Sequence, residues 1–165
     1  MSATKCSIPH GRLQLLWKTL NYTCFSHRIG GMLENIDEEN MIKLLLVDDQ
    51  SIVRQGLRMR LLLEPDIVVI GEASSGEQAL ELVHTLSPDI VLMDVEMPGM
   101  DGITATEALR DNTSQSAVVM MSIHDDVHTR ARAQAAGAAA FVEKSGTLEV
   151  LLAKIRQIVE FADKA

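Results

Sequence analysis

Cysteine, aromatic side chains and basic charge are scarce in this sequence, and each scarcity closes off a class of protein. The two cysteines, Cys6 and Cys24, both fall in the first 40 residues. Their separation matches neither a metal-ligand pair nor a disulfide framework, so both are expected as reduced thiols. Fifteen Lys and Arg stand against 23 Asp and Glu, a formal net charge of −8. That balance leaves no broad basic surface for a nucleic-acid backbone and speaks against direct DNA binding by this chain. Long apolar runs are missing as well: the longest candidate, RLQLLWKTLNYTCF, is broken by Gln14, Lys18 and Asn21. It falls short of the ~18–20 residues that span a bilayer. The stretch also lacks an uninterrupted apolar centre and a small-residue cleavage pattern, so neither a membrane span nor a secretory signal is expected. A cytoplasmic location is the expectation that follows.

What is present divides near Met41. Residues 1–31 carry Lys5, Arg12, Lys18 and Arg28 with Trp17, Tyr22 and Phe25, and an acidic patch of Glu34, Asp37, Glu38 and Glu39 follows. These four bases and four acids cancel, so the whole net charge belongs to residues 41–165. No periodic face is sustained across residues 1–40, which are expected to be a disordered extension or an erroneous start, with Met41 the natural beginning. An amphipathic segment that docks on a partner is the functional alternative for them.

Residues 41–165 contain only Phe141 and Phe161 as aromatics, so their core must be aliphatic. The runs IKLLLV, DIVVIGEA, DIVLMDV, AVVMMS and AAAFVEK read as five strands that are apolar on both faces, as in a parallel sheet covered by helices. Helical spacings of three and four fall between them, at Val53, Leu57 and Leu61, at Ala79, Leu80, Val83 and Leu86, and at Leu148, Leu151, Leu152, Ile155 and Val159. Two further helices fit after Asp101 and Asp125. Pro65 and Pro88 each follow a helix, Gly76 and Gly146 open one, and Gly137 stands where a left-handed cap would end one. Strict β and α alternation predicts a doubly wound α/β fold of five parallel strands and five helices, with right-handed crossovers.

Ligands of open parallel sheets bind beyond the carboxyl ends of the strands, where the strand order switches. On this reading Asp48 and Asp49 end the first strand, Asp94 the third, Ser122 the fourth and Lys144 the fifth. Singly, each has a plain alternative: Asp49 a helix cap, Asp94 a turn acid, Ser122 a local turn, Lys144 a solvated charge, Phe141 ordinary core. Together they place three carboxylates, a hydroxyl and an ammonium on one edge. Crowded carboxylates repel, and a hard divalent cation with oxygen ligands, Mg²⁺ above all, relieves that repulsion. The five histidines show no ligand spacing, and His124 and His128 are read as surface groups.

The segments LLLVDDQ, DIVLMDVEMPGMDG, VVMMSIHDD and AAAFVEKSG, in this order and spacing, resemble the receiver domain of bacterial two-component response regulators over about residues 41–163. The resemblance implies a flavodoxin-like sheet in the order 2-1-3-4-5. It implies that Asp94 accepts a phosphoryl group from a histidine kinase or phosphotransfer protein. Asp49 would be a direct Mg²⁺ ligand, Asp48 a ligand mostly through water, and the backbone carbonyl of Glu96 a third contact. Ser122 and Lys144 match the groups that hold the phosphoryl oxygens, and Phe141 matches a switch aromatic that turns inward as Ser122 is drawn to the phosphate. Output would then pass through the face of the fourth helix, fifth strand and fifth helix, to a downstream protein or a second copy in a homodimer. Such a chain catalyses only its own phosphorylation and slow self-dephosphorylation.

Departures from the family pattern carry their own expectations. Ser145 stands where a cis proline is common, and a cis bond outside proline costs ~3 kcal/mol, so a trans bond is expected. Ile123 replaces a usually small residue beside the phosphoryl position and should narrow access to it. SIHDD and SIVRQGLRMRLLLEP resemble the NarL/FixJ branch, whose members normally continue into a helix-turn-helix domain, whereas this sequence ends at Ala165. A stand-alone receiver or a shortened transcription regulator is expected. An aspartyl-phosphate phosphatase of the haloacid dehalogenase type is disfavoured, since its nucleophile ends the first strand in a D-x-D pair, whereas Asp94 ends the third and is followed two residues on by Glu96.

Overall fold

The computed structural model describes residues 41–112, 115–123 and 126–162. Residues 1–40, with Cys6 and Cys24, lie outside the described residues, as do His124 and Asp125. The elements alternate strictly: β1 (Ile42–Val47), α1 (Ser51–Leu61), β2 (Ile67–Ala73), α2 (Gly76–Leu86), β3 (Ile90–Asp94), α3 (Gly102–Asp111), β4 (Ala117–Ser122), α4 (Val127–Ala136), β5 (Ala140–Glu143) and α5 (Leu148–Ala162). The strands form one sheet in the order β2-β1-β3-β4-β5, and every neighbouring pair is parallel. The chain therefore reverses direction across the sheet at β1 and β3, the switch point at which ligands of such sheets bind.

Alternation along the central strands builds two cores. Leu45, Val47, Val91, Met93, Val118 and Met120 pack on one face against Ala79 and Val83 of α2, Ile103 and Leu109 of α3, and Ala133 and Ala136 of α4. Leu44, Leu46, Ile90, Leu92, Val119 and Met121 pack on the other against Leu61 of α1 and Leu151, Leu152 and Ile155 of α5. Both parities are apolar in β1, β3 and β4 because both faces are covered. The expectation that all five strands are buried on both faces needs correction at the edges: most of β2 and β5 is only half-buried, since each lacks a neighbour on one side. A register shift in the β1–β2 ladder sets Leu44 opposite Val69 and Leu45 opposite Gly71, so Ile70 is an inserted residue.

The caps follow simple chemistry. Ser75 accepts from the Gln78 amide to start α2. Asp101 does the same for Thr104 at α3, and Asp126 for Thr129 at α4. Gly137 ends α4 at φ 103°, a left-handed conformation that costs glycine nothing. Gly146, expected to open α5, instead sits in the preceding turn with its amide bonded to the Glu143 carbonyl at 2.9 Å, and the helix begins at Leu148. No cis peptide bond occurs among the described residues, in keeping with Ser145 in place of proline.

Candidate functional site

Each strand end brings one polar group to the same edge of the sheet. Just past β1, Asp48 still donates its amide to the Ala73 carbonyl at 3.2 Å. Its Oδ1 accepts from the Gln50 amide at 2.9 Å, so Asp48 itself makes the turn into α1. The residue before α1 is Gln50, without a side-chain cap, and Asp49 is left to project its carboxylate. Asp94 is the last residue of β3, opposite Met121 in the ladder, and its Oδ1 accepts from the Glu96 amide at 3.2 Å. Immediately beneath, Gly102 comes so close that a Cβ there would lie 1.9 Å from the Asp94 carbonyl oxygen. The MDG text at the start of α3 is thus a packing requirement of the Asp94 main chain. Ser122 ends β4, and its carbonyl accepts from the Lys144 amide at 2.7 Å just beyond β5.

These groups are brought together in low-polarity surroundings. Among the described residues four polar or charged side chains are buried, and Asp48, Asp94 and Ser122 are three of them. Such burial is costly unless the charges are paired. The pairing comes from Lys144, whose Nζ lies 2.7 Å from Asp48 Oδ2 and 2.8 Å from Asp94 Oδ2. Asp49 is exposed, yet one oxygen from each of Asp48, Asp49 and Asp94 falls within a span of 4.8 Å. Burial pushes the Asp94 carboxyl above its ordinary range; the hydrogen bond and charge of Lys144 pull it back and the charge of Asp48 pushes it up again, leaving it raised. Burial acts against the Lys144 ammonium, but its bonds to Asp48 and Asp94 prevail and raise its pKa, so it stays charged at neutral pH. Three clustered carboxylates of hard oxygen character could hold a divalent cation, and two of them already hold the Lys144 ammonium at hydrogen-bond distance.

The remaining expected residues differ in burial and contacts. Glu96 turns its side chain to solvent while its amide holds Asp94. Ile123, next to Ser122, is 55% exposed at the rim. Phe141 of β5 is half-buried and packs against the α4-side core, with the Arg130 guanidinium carbon 4.8 Å from its ring centroid. His128 is exposed, in agreement with a surface group. Sequence reasoning missed Arg54 of α1. Its Nη1 donates to the Asp48 carbonyl at 2.6 Å, and its Nε donates to Glu72 Oε2 at 3.3 Å.

Comparison with known proteins agrees with this geometry. Residues 44–156 match the family model of the response regulator receiver domain. The chain is similar to the nitrate/nitrite response regulator NarL of Escherichia coli (strain K12), 36% identical over 114 residues that cover 69% of this chain and 53% of that protein. It is likewise similar to the response regulator GacA of Pseudomonas aeruginosa, 39% identical over 118 residues that cover 72% of this chain and 55% of GacA. The chain therefore spans about half the length of these curated relatives. Among solved structures, the signal receiver domain of a NarL response regulator from Mycobacterium tuberculosis superposes with a TM-score of 0.67 at 31% identity, over 76% of this chain and 99% of that one. No helix among the described residues is long and apolar enough to cross a membrane. A match over most of the sequence, the sheet order and the buried acid–lysine edge lead to one assignment: the chain belongs to the response regulator receiver domain family.

Proposed function

We propose that Asp94 is the phosphoacceptor of a two-component phosphorelay, loaded in an Mg²⁺-dependent transfer from a histidine kinase or phosphotransfer protein. The observation that carries this reading is a carboxylate only 2% exposed at a strand end, hydrogen bonded by an ammonium and flanked by two more carboxylates. A carboxylate is a workable nucleophile toward phosphorus only where the gathering negative charge is neutralised. Asp48, Asp49 and Asp94 would hold Mg²⁺, with the Glu96 backbone carbonyl as a further contact. When bound, Mg²⁺ supplies charge neutralisation at the phosphoryl oxygens.

The chain's own groups do the rest. An Asp94 carboxylate oxygen forms the new P–O bond as the P–N bond to the donor imidazole breaks, and the imidazole leaves with that electron pair and takes a proton from solvent. Lys144, already in contact with both Asp48 and Asp94, balances the charge that accumulates at Asp94. The Ser122 hydroxyl donates to a phosphoryl oxygen. Drawing Ser122 toward the site opens space under the loop after β4, into which Phe141 turns, a local charge event that biases a two-state element. Phe141 has no phenol to anchor it outside, so its two positions differ by packing and by the Arg130 contact. The α4, β5 and α5 face then displays the state to a downstream protein or to a second copy in a homodimer, in the cytoplasm, without contact between this domain and nucleic acid. Residues 41–165 are the domain that does this; residues 1–40 are an extension dispensable for it.

A phosphatase that turns over a small phosphorylated substrate is the competing reading. It asks for a nucleophile on the first strand and an acid two residues later; Asp94 ends β3 and the exposed Glu96 holds its amide, not its carboxylate, to Asp94. Incubation with Mg²⁺ and acetyl phosphate separates the two. One hydroxylamine-sensitive phosphoryl group per chain is expected, with or without residues 1–40, and none on Asp94→Asn. Equal labelling of that variant removes Asp94 from the role, and steady release of phosphate from small substrates favours the phosphatase.

A further inference from the structure

Asp49 is the exposed member of the carboxylate cluster, and among the described residues no side chain is hydrogen bonded to it. Its position is therefore inherited from the main chain. The peptide joining Asp48 to Asp49 is planar, so fixing its carbonyl oxygen fixes the plane from which the Asp49 Cα departs. Arg54 Nη1 fixes that oxygen at 2.6 Å. The opposite side of the same residue is tied by the Asp48 amide to Ala73 and by Asp48 Oδ1 to the Gln50 amide. Arg54 is itself braced: its Nε meets Glu72 Oε2 at 3.3 Å, and the other oxygen of Glu72 takes Arg58 Nη1 at 3.1 Å. The Arg54 side chain is 16% exposed, unlike Arg58 at 51%, so its fork is held rather than loosely solvated.

We propose that Arg54, braced by Glu72, is a positioning residue of the divalent-cation site: through the Asp48 carbonyl it sets the direction in which Asp49 presents its carboxylate. The inference rests on the reading that Asp48, Asp49 and Asp94 hold Mg²⁺. Mg²⁺ demands near-ideal octahedral geometry and gives up water reluctantly, so a ligand that wanders loses affinity. Two effects of removing Arg54 have opposite signs. Loss of a nearby positive charge, leaving Glu72 to Arg58 alone, would tighten cation binding, whereas loss of positioning weakens it. A fall in affinity thus reports position and not charge.

The test is calorimetric titration of Mg²⁺ into the full chain, alongside thermal melting without Mg²⁺. Arg54→Gln should weaken Mg²⁺ binding by about tenfold, the lower range for outer-shell partners of a metal site. Arg54→Lys, which retains the charge and one donor but cannot grip Glu72 as well, should fall between. Glu72→Gln should weaken binding too, and the double variant should be no weaker than Arg54→Gln alone, because both act through one contact. Unchanged or tighter Mg²⁺ binding by Arg54→Gln, whatever its melting temperature, overturns the proposal. Should Arg54→Gln fail to fold, unchanged affinity in Glu72→Gln overturns it equally. Absence of Mg²⁺ binding in the wild type would reject the cation reading itself, and this inference with it.

Discussion

At the scale of the residue, Ile123 is where this chain departs most from the pattern it resembles. It follows the buried Ser122 directly, yet is 55% exposed at the rim of the acid cluster. If Asp94 is phosphorylated as proposed, a branched side chain there would stand in the approach of an in-line water to the phosphoryl group. Ile123→Ala is expected to raise both labelling by acetyl phosphate and self-dephosphorylation, on the order of threefold, under ~1 kcal/mol of barrier. Phosphate-release half-lives at saturating Mg²⁺ measure it, and identical half-lives would mean that Ile123 does not govern access. The residues that cluster at the sheet edge were legible in the sequence because each stands where an apolar run stops, and a polar group at a strand end has few reasons to be buried. Arg54 was not. Its role depends on Glu72 lying opposite Leu46, a pairing set by the inserted Ile70 in β2, and strand register is invisible in a single sequence.

At the scale of the element, the helices differ in how they are held. α2, α3 and α5 each bury several side chains, whereas α1 buries only Leu61, and α4 buries only Ala133 and Ala136 and leaves Val127 81% exposed. Its ends are fixed by Asp126 and Gly137, so it is pinned by caps more than by core, which would suit a segment that shifts if Ser122 and Phe141 move as proposed. The text of α4, VHTRARAQAA, has little apolar periodicity, which is why its limits were read less sharply than those of α5. At the other end of the fold, Arg156 of α5 bonds Asp66 at 2.6 and 2.7 Å and Glu64 at 2.8 Å, tying α5 to the turn between α1 and β2. The Arg156 bond holds the Asp66 carboxyl below its ordinary 3.8. A depressed carboxyl contributes stability that is fully present above its unfolded pKa and lost as pH falls through the lower folded value. Arg156→Ala should therefore cost about 1 kcal/mol at neutral pH, as an exposed network allows. The cost should fall away once acid has protonated Asp66. Urea melts of both proteins across that range measure it; a cost that persists in acid would assign Arg156 to packing.

At the scale of the whole molecule, continuous apolar runs separated by helical segments were enough to announce a parallel sheet, because only a sheet covered on both faces needs strands apolar on both faces. The half-burial of β2 and β5 was not announced, since edge position follows from strand order, which came from family resemblance and not from periodicity. The pairing of Lys144 with Asp48 has a consequence for time. The two residues are 96 apart in the chain, and β1, β3, β4 and β5 must all be in register before they meet. A parallel sheet has no hairpin to begin from, and its long loops must close before any pairing rewards them. Competence for phosphorylation should consequently be the last property regained when the unfolded chain is returned to native buffer. Samples quenched with acetyl phosphate and Mg²⁺ during refolding are expected to take up label only as fast as the slowest phase of helix signal recovers; labelling ahead of that phase would mean that a fragment of the sheet can already act. If Asp94 carries phosphate as proposed, the switch in this sense cannot be half-made, and a partner that reads the phosphate would read a finished fold.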